Sequence, residues 1–394
     1  MSRPPHVADD VVCDFSVHRP SSTPFERYAE LADRPLRWTD RSDGHWIALS
    51  ERTVHEVLGD PARFSSECII IPERARLWPR PLIPEELDPP DHAKYRRFVA
   101  PFFSPPAIHA HRPALRTIAA AHVDALPLGE PVDLMAVLAR PFAIRTWSHV
   151  VGLTEDETAE LVDAHGGLSD PEGQLEAAGR LVAGLEAIVA DRRSSPGDDV
   201  PSAVVGGVVD GRPISDTEAL DFLFLLVLAG LDTVASVLGY TLRHLAGYPR
   251  LQERLADDPD CRPLAVEEAL RRYSVVSTAR TVTVDTMLDG VVLEAGDRIL
   301  VPTCAASMDP TVHDDPLEFD VDRPAGRHLA FGTGPHRCLG SHLARAVLDV
   351  FLAALAPVRI ERDGDLSGCA TGGLIHGMAS LPAMVRPASD TAGH

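Results

Sequence analysis

Cationic residues are scarce in this 394-residue chain: 37 Lys and Arg stand against 58 Asp and Glu, for a formal charge of −21. So acidic a balance argues against a broad electropositive face for nucleic acid or anionic membrane, leaving at most a local basic cluster. Cysteines are few and scattered. Cys13, Cys68, Cys261, Cys304, Cys338 and Cys369 have neither a disulfide framework nor zinc-site spacing, so reduced thiols in a cytosol are expected. The start, Met1-Ser2-Arg3-Pro4-Pro5, carries no apolar h-region or anchor. Internal repeats and low-complexity tracts are absent, and the longest apolar run, 222–231, is about half of what a bilayer span requires. These absences predict a soluble, cytoplasmic protein with no nucleic-acid or membrane partner. Its 45% hydrophobic residues can supply a substantial core.

What is present reads as helix with a little sheet. Residues 1–24 look irregular and 25–31 helical, and 36–39 pairs with 45–48 about Ser42-Asp43-Gly44 as a hairpin. Helix is predicted over 51–58. The stretch 69–90 carries Pro72, Pro79, Pro81, Pro84, Pro89 and Pro90, and is expected to be a long ordered loop that binds something. Helical patterns dominate 91–196, and a second hairpin pairs 204–209 with 212–214. Ser215-Asp216-Thr217-Glu218 then forms a capping box opening a helix that runs to Ala246, roughly 30 residues and about 45 Å long. A helix over 263–273 and strands within 281–302 follow. The expectation is one domain over 1–394, mainly α with small β-sheets.

The segment Phe331-Gly332-Thr333-Gly334-Pro335-His336-Arg337-Cys338-Leu339-Gly340 places one thiol directly before a helical pattern, 339–355. Free N–H groups at a helix start stabilise a thiolate, and Gly334 and Gly340 would let backbone approach a large flat body. A lone cysteine fits one axial thiolate on a haem iron better than zinc. In the long helix, Ala229-Gly230-Leu231-Asp232-Thr233 breaks three local rules: a mid-helix glycine, costing about 1 kcal/mol, and a carboxylate and a hydroxyl in an apolar stretch. Thr233 can turn its hydroxyl to the i−4 carbonyl, and Gly230 would open space for a diatomic ligand, with Asp232 and Thr233 managing protons. A solvent-facing Asp and a back-bonded Thr is the alternative. Glu268 and Arg271 share one helical face, and Arg323 could complete a three-charge cluster. His92 and Arg96 (i, i+4), Arg280 and His336 are cations suited to a haem's carboxylates.

Together these segments resemble the cytochrome P450 monooxygenases, from about residue 14 to 387. The cysteine loop is similar to that family's haem-binding signature, 229–233 to its oxygen-activation motif, and Glu268, Arg271 and Arg323 to its structural cluster. Gly44-His45-Trp46-Ile47-Ala48 and Phe64-Ser65-Ser66-Glu67-Cys68 look most like the soluble bacterial camphor-hydroxylase branch. The resemblance implies haem b between a long distal helix and the cysteine-loop helix. Cys338 would be the thiolate ligand to iron, receiving N–H donors from the following backbone. Phe331, Gly340 and Gly230 would border the haem, and His92, Arg96, Arg280 and His336 would hold its propionates. Asp232 and Thr233 would serve dioxygen activation, and Glu268, Arg271 and Arg323 fold integrity. It also implies electrons from NAD(P)H through a [2Fe–2S] ferredoxin and its reductase, steered by Lys94, Arg97, Arg337 and Arg345, and a monomeric enzyme.

Substrate contacts are implied at Ile70, Trp78, Leu82, Leu225, Leu228 and Ala229, and at Val275, Val276, Thr278, Leu374 and Ile375. This mostly apolar set predicts a small or medium hydrophobic substrate, a terpenoid or another compact molecule. Two departures stand out. No tyrosine lies between Cys68 and Asp88, where the camphor branch binds a ketone; Trp78, Arg74, Arg76 and Arg80 stand there instead, so an acidic substrate is the alternative if one arginine turns inward. Ser307-Met308-Asp309-Pro310 differs from the family's usual Ala-Asn-Arg-Asp-Pro, with an effect expected on packing. A haem-thiolate enzyme of another type, such as a peroxygenase or dehydratase, and a non-catalytic haem sensor are the competing readings; Asp232-Thr233 counts against both.

Overall fold

In the computed structural model the described residues are 4, 6–19, 24–76, 78–167, 173–324, 328–364 and 371–391. Cys369 lies outside them. The helices are α1 (Pro24–Leu31), α2 (Glu51–Gly59), α3 (Asp91–Arg96), α4 (Pro105–Asp124), α5 (Arg140–Val151), α6 (Glu155–Gly167), α7 (Gln174–Ser194), α8 (Val200–Val205), α9 (Asp216–Leu245), α10 (Pro249–Asp257), α11 (Cys261–Arg272), α12 (Thr303–Ser307) and α13 (Ser341–Ala354). The strands are β1 (Leu36–Thr39), β2 (His45–Ala48), β3 (Phe64–Ser65), β4 (Pro131–Asp133), β5 (Val208–Val209), β6 (Arg212–Pro213), β7 (Ser277–Val282), β8 (Thr286–Leu288), β9 (Val291–Leu293), β10 (Arg298–Pro302), β11 (Val358–Arg362) and β12 (Pro382–Pro387). The fold is helix-rich with small sheets, as expected.

The largest sheet has the order β1-β2-β10-β7-β3 and joins segments distant in sequence. Its β1–β2 hairpin pairs Leu36 with Ala48 through Thr39 with His45, the register the turn at Ser42-Asp43-Gly44 predicts. Strand β2 is buried along its whole length, which suits a strand with partners on both sides. A second sheet, β11-β12-β4, sets the C-terminal strands against the start of the α5 region.

Helix α9 is the axis of the molecule. Ser215 accepts from Glu218 N–H while the Glu218 carboxylate accepts from Ser215 N–H, a complete capping box. Glu218 also accepts from Tyr95 Oη and from both Arg212 nitrogens, so the helix start is tied to α3 and β6. By length and composition α9 is long and apolar enough to cross a bilayer, which the shorter run 222–231 is not, but 56% of an apolar 18-residue window of the helix is buried inside the protein. Packed against α5, α7 and α8, it serves as the core helix.

Two expected elements differ. Residues 204–205 end helix α8 rather than begin a strand, because Asp199 caps that helix through Ser202 N–H; the hairpin shrinks to β5–β6. The helix expected from 263 begins at Cys261, and the strand expected from 281 begins at Ser277, where it pairs with β10. At the departure 307–310, Asp309 accepts Glu51 N–H and Thr311 N–H, so that residue works in packing.

The 69–90 loop is ordered by one carboxylate. Glu86, 3% exposed, accepts N–H from Ile69 and Leu82 and pairs with Arg76, drawing both ends of the loop together. Asp88 adds hydrogen bonds from Ser65 Oγ and Ser66 N–H.

On the other side of the molecule, Glu267 joins α11 to α13 through Arg345 and takes a hydrogen bond from His328. Burial alone would raise this carboxyl, but His328 and Arg345 bring it from the ordinary 4.5 down to about 2. A depressed folded-state pKa contributes stability that is present above the unfolded value and lost as pH falls through the folded one. Glu267→Gln is therefore expected to lower the urea midpoint at neutral pH, with the deficit shrinking from pH 4.5 toward 2. A deficit independent of pH would show that packing, not charge, is at stake.

Candidate active site

One large cavity, about 530 Å³, lies between α9 and the Cys338 loop. The loop is folded by short backbone hydrogen bonds, Gly332 N–H to Leu329 O at 2.8 Å and Cys338 N–H to Phe331 O at 2.8 Å. Gly332 and Gly334 have φ of 62° and 71°, a region that favours glycine. Gly334 is required by its neighbour, since a Cβ there would strike Leu58 O at the end of α2. The expectation that Gly334 yields space to a flat ligand is thereby corrected. Gly340 behaves differently. Only Cys338 Sγ, at 3.9 Å, would meet a Cβ there, and the Gly340 backbone amide favours the thiolate form of that sulfur.

Cys338 opens onto the cavity although protein surrounds it at depth. Burial pushes its thiol up, against the opposing Gly340 N–H and the charges of Arg96 and Arg337. The helix start thus does not by itself make a thiolate here. A metal cation would, because coordination deprotonates a thiol.

Facing the loop, Ala229, Gly230, Asp232 and Thr233 all line the cavity. Thr233 Oγ1 donates to Ala229 O at 3.0 Å, the i−4 back-bond, and Ser236 Oγ does the same to Asp232 O at 2.7 Å. The Asp232 carboxylate lies 3.2 Å from His165 Nε2 on α6. Gly230 departs from expectation. A Cβ there would collide with Trp147 Nε1, so the notch in α9 admits the indole of α5 and is not open space for a small ligand.

The cations meet at one corner. Arg96, Arg280 and His336 line the cavity, whereas His92 stands behind His336, ring centroids 4.2 Å apart. Burial, then the charges of His336 and Arg96, lower His92 to about 4. His92 Nε2 and both His336 ring nitrogens find no hydrogen-bond partner among the described residues. Buried polar atoms without partners are expensive, so this corner fits a ligand bearing acceptors, as haem propionates are.

The remaining expected contacts also converge. Ile70, Trp78, Leu82, Leu225 and Leu228 line the cavity, as do Val275, Val276, Thr278, Leu374, Ile375 and Phe331. Away from it, Arg271 forks onto Glu268 at 2.7 Å through two nitrogens, and Arg323 Nε lies 3.4 Å from Glu268 Oε1. The basic proximal set is largely spoken for: Lys94 pairs with Asp91 and Asp210, Arg345 with Glu267, and Arg97 donates to Val208 O. Arg337 is exposed, donates to Ser341 Oγ, and meets no carboxylate among the described residues.

Sequence reasoning passed over Glu85, Trp147, His165 and Asp221. Glu85 lies in a proline-broken loop without periodicity to mark it, and the other three become significant only through partners far along the chain.

A family model described as "Cytochrome P450" matches residues 263–355, which hold Glu268, Arg271, Arg323 and Cys338. Probable cytochrome P450 127A1 of Sinorhizobium fredii is 33% identical over 349 residues, covering 86% of this chain and 83% of that protein. Erythromycin C-12 hydroxylase of Saccharopolyspora erythraea is 35% identical over 347 residues, covering 83% and 86%. Among solved structures, CYP101J2 superposes with a TM-score of 0.87 at 30% identity, covering 98% of this chain and 99% of that one. The chain belongs to the cytochrome P450 family. It is accordingly a monooxygenase that uses a cysteine-ligated haem, dioxygen, a hydrophobic substrate and redox partners.

Proposed function

We propose that this enzyme hydroxylates a compact, neutral, apolar substrate of terpenoid size, as a cytoplasmic monomeric protein of one domain that draws electrons from NAD(P)H through a [2Fe–2S] ferredoxin. The observation that carries the substrate class is that each arginine of the 69–90 loop already has a carboxylate partner, Arg80 keeping one guanidinium nitrogen, Nη2, without a hydrogen bond among the described residues. Arg74 pairs with Asp43 and Arg76 with Glu86. Arg80 Nε and Trp78 Nε1 both donate to Asp221 Oδ1 at 2.7 Å. An acidic substrate that drew Arg76 or Arg80 from its partner would strand the buried carboxylate of Glu86 or Asp221. Trp78, which lines the cavity, also stacks on Phe224 of α9 with ring centroids 4.2 Å apart, so the indole is fixed in place. A ligand screen following the ferric Soret band is expected to yield small neutral hydrocarbons, alcohols or ketones; preferential binding of carboxylates would overturn the proposal.

Haem, when bound, supplies the dioxygen activation and C–H oxidation. Cys338 Sγ would ligate its iron, with the Gly340 backbone amide tuning the sulfur and Phe331 nearby. Arg96, Arg280 and His336, with His92 behind, would receive the propionates. Thr233 keeps its oxygen lone pairs free while donating to Ala229 O, so it can accept one proton and pass another. Asp232, held by His165, is the carboxylate nearest in sequence to replenish it. A positioned proton donor is worth about 10²–10⁴-fold. Thr233→Ala is therefore expected to cut product formation about 10²-fold while NAD(P)H consumption continues into hydrogen peroxide. Unchanged product per electron would remove Thr233 from the relay. Ferredoxin docking is supported by Arg337 rather than by the wider basic set, since Lys94 and Arg345 are neutralised.

A further inference from the structure

The cation-rich corner already contains a carboxylate of the chain itself. Glu85 lines the cavity with Arg96, Arg280 and His336, and its Oε2 lies 3.8 Å from His336 Nδ1. Its neighbour Glu86 does the structural work of the loop, so Glu85 is not needed to fold it. Arg280 is 2% exposed and donates to Thr278 Oγ1 and Ala279 O, and Arg96 donates to Arg337 O; neither hydrogen-bonds a carboxylate among the described residues. Burial alone would raise the Glu85 carboxyl, but the facing His336, with the charge of Arg280, leaves it below the ordinary glutamate value. Glu85 is thus an ionised group in the field of these cations. The next carboxylate along the loop, Asp88, is occupied by Ser65 and Ser66.

Haem brings two further carboxylates to the same corner, so two guanidinium groups face three anions. Like charges a few ångströms apart in a partly buried site repel far more strongly than in water. We propose that Glu85 competes with a haem propionate for Arg96, Arg280 and His336, and thereby sets how readily this protein releases its haem. The proposal rests on the assignment of that corner to the propionates.

The test is haem transfer from the holoprotein to excess apomyoglobin, followed at the Soret band, with protohaem and with its propionate dimethyl ester. Glu85→Gln keeps size and removes charge. It is expected to slow protohaem loss by about ten-fold and to leave ester loss unchanged, because the ester has no propionate charge to repel. Glu85→Asp keeps the charge and is expected to keep the faster loss. The carbon monoxide difference band stays that of thiolate ligation throughout. Faster or unchanged protohaem loss from Glu85→Gln would overturn the proposal, as would an equal slowing with the ester, which would place the effect in the loop. Equal loss of both haems from the unsubstituted protein would instead refute the propionate assignment, and the proposal with it.

Discussion

Cys338→Ser is expected to abolish monooxygenase turnover while leaving the fold standing. The sulfur sits on the cavity wall, and the loop is held by backbone bonds such as Cys338 N–H to Phe331 O. Its loss is therefore chemical. A serine hydroxyl is a harder and weaker donor than a thiolate, and the electron push that favours O–O cleavage goes with the sulfur. In the reduced, carbon monoxide-bound protein the strongly red-shifted Soret band should vanish in Cys338→Ser, with far-ultraviolet dichroism unchanged. A variant that keeps that band and turns over dioxygen would show that another group ligates the iron.

Arg271→Ala should have the largest effect on stability. All five guanidinium donors lie among acceptors: Nε and Nη2 on Glu268, Nη1 on Ser307 O and Pro316 O, and Nη2 also on Glu318 O. Both partners of the pair are buried, 2% for Arg271 and 5% for Glu268. Truncation leaves a buried carboxylate with only Asp320 N–H and the longer Arg323 contact, and three carbonyls with one donor fewer. Removing one member of a buried ion pair costs about 3–5 kcal/mol. Set against a total of about 5–15 kcal/mol, that is enough to deplete the folded, haem-retaining protein. The urea midpoint and the yield of haem-loaded protein measure it. Arg271→Lys should recover only part of the loss, since an ammonium cannot reproduce the planar fork; a near-normal midpoint in Arg271→Ala would mean that the pair is dispensable.

Local signals proved the most legible. The capping box at Ser215 and Glu218, the turn at Ser42-Asp43-Gly44 and the cysteine loop each act through residues within a few positions of one another, so sequence alone exposes them. The Asp199 cap escaped notice, and with it helix α8, because Val204 and Val205 also suit a strand. Gly230 was legible as an anomaly and misread in purpose: only the packing of α5 on α9 reveals that an indole, not a ligand, needs the missing Cβ. The arginines of the 69–90 loop were open in the same way. Of their partners, Asp43 and Asp221 lie outside the loop and Glu86 ten residues on within it, and charge pairing at such irregular separations leaves no periodicity to read.

By itself, then, the sequence determined the family and the long helix, and it singled out Cys338 as the proposed thiolate and Asp232-Thr233 as the proposed distal pair. Each is written in contiguous residues whose chemistry is unusual wherever they fold. Tertiary structure decided which charges cancel. It paired a loop of arginines with carboxylates, spent half of a basic face in the same way, and set Glu85 among the cations at His336. Burial and distance govern those outcomes, and both arise only when remote segments are brought within a few ångströms of one another.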